Sequence, residues 1–158
     1  MLNNFLTGAR ASLLAVILQP SAAQTVVLPG ALRLAGYRAA CGPVDTMIQP
    51  IDDIAAAYKG RIILHPRVLD LSRVQQLLWY THECAHEIFG QSEVAADYSA
   101  VQQGKIQGWL TRDELSMLSG TMRRYRADET RSNGAARVVA MDACFVDDRL
   151  ILPKGDGD

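Results

Sequence analysis

The 158-residue chain predicts an α+β fold: a helix-rich single domain with a small β-sheet, preceded by a signal peptide. Three observations predict this. Leu71, Val74, Leu77, Leu78, Thr81, Ala85 and Phe89 recur at helical spacing, and further helical stretches with their own cap signals follow. Short apolar runs at 25–40 and 61–65 are punctuated by Gly and Pro in the manner of strands. The first residues are weakly positive, then apolar (ASLLAVIL), then broken at Pro20, with Ser21-Ala22-Ala23 supplying small residues for cleavage before Gln24.

The elements follow in order. Residues 1–23 form the expected signal peptide, which places the protein outside the cytoplasm, periplasmic or secreted. Its apolar run is too short to span a bilayer; the plainer alternative is a buried N-terminal helix or an uncleaved anchor. Residues 24–152 are enough for one domain with its own core. Thr25 to Ala40 reads as two short strands, and Cys41-Gly42-Pro43 as a turn. Asp52-Asp53 can start a short helix through Ala55, Ala56 and Ala57 to Tyr58, stopped at Gly60. Arg61 to His65 is a strand closed by Pro66. A first long helix runs from about Asp70 to Phe89, with Ser72 and Gln75 as a capping-box pair. Gly90 ends it, and Ser92 caps a second helix to Gln107. Thr111 and Glu114 form another capping box, opening a third helix to about Tyr125. Asp128 to Gly134 reads as a loop, Gly134 to Phe145 as a last helix, and 153–158 as a loose tail.

The first long helix carries His82-Glu83-Cys84-Ala85-His86. At about 100° per residue, two histidines four apart share a face, one turn from each other, and both can reach one metal ion. Glu83 sits one step round the helix, where a carboxylate can act as the base of a zinc hydrolase. The bland reading is two histidines at the edge of a core face. Catalytic zinc usually takes three protein ligands. Glu93 lies eleven residues past His82, about 16 Å away on an unbroken helix, so the chain must turn back at Gly90 for Glu93 to join the site. Asp97 would then stand one turn on, suited to accept the remaining N–H of a ligating histidine. The competing readings are a favourable acid at a helix N-terminus for Glu93 and a surface charge for Asp97. Glu87 reads as a solvated charge.

This pattern, His82-Glu83-x-x-His86 followed by Glu93-x-x-Ala96-Asp97, resembles the gluzincin metallopeptidases, among them the small minimal-scaffold ones. The resemblance covers about Arg61 to Leu110. It implies a zincin-like fold, one zinc ion on His82, His86 and Glu93, Glu83 as general base, and a peptide or protein substrate. It also implies that the strand Arg61 to His65 flanks the cleft and can pair with an extended peptide. The oxyanion-steadying residue is left open among His65, Arg137, Tyr98 and Tyr125, each also readable as structural. Trp79 and Tyr80 read as core, and Arg123 to Arg126 as a solvated face.

Other function classes follow from composition. Formal net charge is −1, and nothing in it suggests a nucleic-acid or anionic-membrane partner. The rivals to a peptidase are a non-catalytic zinc-binding or interaction protein on a peptidase-like scaffold, and an amidase acting on cell-wall peptides. There are three cysteines. Cys84 lies two residues past His82, about 200° round the helix, and so faces away from the metal as a buried thiol. Cys41 and Cys144 are then the expected disulfide of an exported domain.

Overall fold

The computed structural model describes residues 24–122 and 134–146. The expected signal peptide, the tail at 153–158, the Arg123 to Arg126 run and Tyr125 lie outside the described residues.

The described chain is a small α+β unit. Strands β1 (Thr25–Val27), β2 (Leu32–Leu34), β3 (Tyr37–Ala39), β4 (Asp45–Ile48), β5 (Ala55–Ala57) and β6 (Arg61–Leu64) precede a 3-10 turn at Pro66–Asp70. Helices α1 (Arg73–Phe89), α2 (Glu93–Gln107), α3 (Arg112–Met122) and α4 (Gly134–Val146) follow. One sheet has the order β1-β4-β6-β5, with β4 and β6 parallel and the other pairs antiparallel. β2 and β3 form a separate hairpin. The 25–40 stretch thus contains three strands where two were expected.

The short helix expected at 52–58 is instead strand β5, paired with β6 from Ala55↔Leu64 to Ala57↔Ile62. Lys59 and Gly60 both have positive φ, at 49° and 77°. That pair closes a two-residue hairpin of the kind whose twist matches the strands, with Tyr58 N–H donating to the Arg61 carbonyl at 2.9 Å. Alanine is the best helix former, but intrinsic propensity is a small effect that context overrides, and a run of three cannot outweigh a hairpin turn and a sheet partner. The same hairpin corrects the expectation for 61–65. β6 is paired on both sides, by β4 and β5, so it has no edge for a peptide. On that side of the sheet the edge strand is β5.

α1 lies at the centre. It starts at Arg73 rather than Asp70, because Pro66 opens a separate 3-10 turn and Ser72 then caps α1. Ser72 and Gln75 make the reciprocal capping bonds, as do Thr111 and Glu114 before α3. The buried residues of α1 run without a gap from Gln76 to His86. Such a helix is covered on all sides, here by α2, the β5–β6 edge of the sheet and the β2–β3 hairpin. Leu34, Ile62, Leu64, Val68, Val101, Trp109 and Leu115 are fully buried in the core around it.

The disulfide differs from the expected pair. Cys41 bonds Cys84, with Cα atoms 5.5 Å apart, whereas Cys144 lies on α4, its carbonyl accepting from Gln102 Nε2 at 2.6 Å. The face of α1 turned from the histidines is the face that the turn after β3 covers, so Cys84 meets Cys41 there. Helix periodicity gives the direction of Cys84 but not what stands opposite it.

Candidate metal centre

Two helices and the turn between them build the site. α1 ends at Gly90, whose backbone (φ 77°, ψ −159°) lies in a region that only glycine occupies readily. This reverses the chain. Ser92 Oγ then accepts from Ala95 N at 3.3 Å and starts α2 with Glu93 in its first turn. Glu93 is thereby returned to the turn of α1 that carries His82 and His86.

The three side chains converge. The Nε2 atoms of His82 and His86 are 3.1 Å apart. Glu93 reaches His82 Nε2 with Oε2 at 3.3 Å and His86 Nε2 with Oε1 at 3.6 Å. One ligand atom from each lies within 4.8 Å of the others, so the group could hold a metal ion. Zinc with ligands at about 2.0–2.1 Å in a tetrahedron has ligand atoms about 3.3 Å apart, close to the spacings seen here. The donor set, two imidazoles and a carboxylate, also suits such an ion.

Both imidazoles are fixed from behind. His86 Nδ1 is 2.8 Å from the Gly90 carbonyl, and His82 Nδ1 is 3.0 Å from Asp97 Oδ1. A ring that donates from Nδ1 to an oxygen presents Nε2 as its other donor atom. Asp97 is 1% exposed, a depth that a carboxylate tolerates only when paired. Its pair is Arg137 of α4, which donates Nε to Oδ2 at 2.7 Å and Nη2 to Oδ1 at 2.6 Å. Arg137 Nη1 also lies 3.4 Å from Glu93 Oε2.

The charges follow from this packing. Burial works to lower the basicity of His82, but hydrogen bonds to Asp97 and Glu93 outweigh it and raise the pKa to about 9. The bond to Glu93 likewise raises His86. Glu93 is held well below the usual carboxylate range by His82 and then His86. For Asp97, burial pushes the pKa up, and the bonds to Arg137 and His82 more than reverse it. The cluster therefore binds positive charge strongly, whether as protons on the imidazoles or as a cation between them.

A cavity of about 320 Å³ opens on these groups. Glu83, buried at 6% exposure, lines it beside His82, His86, Glu93 and Arg137. Ala56 and Ala57 of β5 form another part of its wall. Trp79, read as core, is buried but also lines the cavity and meets the His82 ring edge-on at 6.3 Å. Tyr80 is buried, and Glu87 is partly buried.

Among the oxyanion candidates, His65 caps the 3-10 turn, its Nδ1 accepting from Arg67 N at 3.0 Å. Neither His65 nor Tyr98 lines the cavity; Arg137 does. The weight carried by Arg137 and by the Gly90 carbonyl escaped the sequence reading. The signal for Arg137 was an arginine on the apolar stretch Ala136 to Met141, a setting that calls for a carboxylate partner. Comparisons with protein-family models, curated proteins and solved structures gave no match to this chain.

Proposed function

We propose that this chain is an exported zinc metallohydrolase of the gluzincin kind, on a zincin-like scaffold, that cleaves peptide bonds. The observation that carries the reading is the convergence of His82 Nε2, His86 Nε2 and Glu93 at metal-ligand spacing, on the wall of an open cavity that Glu83 also lines.

His82, His86 and Glu93 would hold one zinc ion, with Asp97 and the Gly90 carbonyl keeping the two rings turned inward. When bound, zinc supplies Lewis acidity, lowering the pKa of water and polarising a carbonyl. Glu83 takes the proton from the attacking water and returns it to the leaving amine. Among the described residues the group offers three donors rather than four, which favours a catalytic over a sealed structural site.

The β5 edge supports a peptide substrate. His65 N–H donates to the Ile54 carbonyl and Tyr58 N–H to that of Arg61. Ile54 and Tyr58 thus turn their backbone toward β6, and by alternation Ala55 and Ala57 turn theirs away from it. An extended chain can pair with that edge, beside the cavity wall formed by Ala56 and Ala57.

Export is supported by the N-terminal sequence pattern and by the Cys41–Cys84 disulfide, a bond at home in oxidising compartments. Among the described residues, no helix is long and apolar enough to cross a membrane.

The test is Glu83→Gln, assayed on a mixed peptide library and on purified cell-wall fragments. The variant keeps its zinc and loses hydrolysis by about 100-fold or more. Equal cleavage by variant and wild type would exclude Glu83 as the base. Cleavage of cell-wall fragments alone would move the substrate to cell-wall amides.

A further inference from the structure

We propose that Arg137 is a positioning residue of the metal centre, so that docking of α4 completes a site whose ligands all come from α1 and α2. The proposal rests on the metal-binding reading above.

One guanidinium touches both the carboxylate behind His82 and the carboxylate of Glu93. It grips Asp97 by two parallel bonds, Nε to Oδ2 at 2.7 Å and Nη2 to Oδ1 at 2.6 Å. Asp97 Oδ1 is also the atom that faces His82 Nδ1 at 3.0 Å. A single contact to His82 would leave the carboxylate able to turn about its Cβ–Cγ bond. The fork removes that freedom, and with it the freedom of the His82 ring. Nη1, not engaged with Asp97, lies 3.4 Å from Glu93 Oε2. Arg137 therefore bears on His82 chiefly through Asp97, its Nη2 also lying 3.4 Å from His82 Nδ1, and on Glu93 directly. It is 9% exposed, so water cannot readily stand in for these bonds.

The shape of the group matters as well as its charge. Lysine carries the same charge on one compact ammonium and cannot make two parallel bonds to a carboxylate while reaching a second one. A purely electrostatic role would be restored by lysine; a positioning role would be restored only in part.

The experiment measures zinc affinity, by competition with a chromophoric chelator, for full-length wild type, Arg137→Lys, Arg137→Met, Asp97→Asn and the Arg137→Met/Asp97→Asn double variant. Circular dichroism checks the fold of each. Arg137→Met is expected to bind zinc about 10–100-fold more weakly, the range for loss of an outer-shell partner. Arg137→Lys should fall between it and wild type. The double variant should lose less than the product of the two single losses, because both act on one chain of contacts. In the cobalt-loaded protein, Arg137→Lys should shift the visible bands that report ligand geometry.

Wild-type affinity and an unshifted cobalt spectrum in Arg137→Lys would overturn the proposal, even if Arg137→Met does not fold. Fully multiplicative losses would also overturn it. Wild-type protein that takes up no zinc would overturn both this inference and the metal-binding reading, whereas zinc-binding wild type with an indifferent Arg137 would overturn this inference alone.

Discussion

His82 and His86 are each held at Nδ1 by a different kind of acceptor: a backbone carbonyl for His86, a buried carboxylate for His82. Without metal, the cluster stores protons. His82 titrates near 9 rather than its ordinary 6.5, and His86 shifts in the same direction. A folded pKa above the unfolded one stabilises the fold fully below pH 6.5, and that stabilisation is lost as pH rises toward 9. Chelator-treated protein should therefore melt at a lower temperature at pH 9 than at pH 6.5. Excess zinc should offset the loss, since its ligands bind better once deprotonated. A melting temperature that holds level in chelator across this interval would contradict the charge distribution. The convergence of these side chains was legible in the sequence because the helical period alone puts His82 and His86 on one face, and Gly90 with Ser92 marks the turn that returns Glu93. The partner of Asp97 was not, because Arg137 is forty residues further on and no local rule says where α4 packs.

At the scale of elements, turns decided the outcome. The triple alanine at 55–57 leans toward helix by propensity, but three residues carry little of it, and Lys59-Gly60 made the run an edge strand beside the cavity. The helices were easier to read, because Ser72 and Gln75, Thr111 and Glu114, and Gly108 carry their ends in local chemistry. Gly90 does two jobs: its backbone conformation ends α1, and its carbonyl orients His86. A Cβ there would meet no atom within 4 Å, so Gly90→Ala tests the backbone alone. It should cost about 1–3 kcal/mol of stability and weaken zinc binding by misaiming that carbonyl. Denaturant melts and metal titration would check both, and an alanine variant as stable as wild type would contradict the role given to this turn.

For the whole molecule, the Cys41–Cys84 bond fastens the β2–β3 hairpin to the back of the helix that carries His82 and His86. Periodicity turned Cys84 away from the two histidines but left it a free thiol; three cysteines allow three pairings, and only the tertiary path brings Cys41 to that face. The bond closes 43 residues, worth about 4 kcal/mol in the chain-entropy account. A Cys41→Ser/Cys84→Ser variant should lose stability of that order, and thiol titration of oxidised, denatured wild type should find one sulfhydryl, that of Cys144. Three sulfhydryls, or an unchanged denaturation midpoint in the variant, would contradict the bond. The central claim is that α1, α2 and the turn between them form a metal centre, and the most direct test is elemental analysis of the purified, folded protein after dialysis against trace zinc. The account predicts about one zinc per chain, lost in His86→Ala; a folded wild-type protein that retains no metal would contradict it.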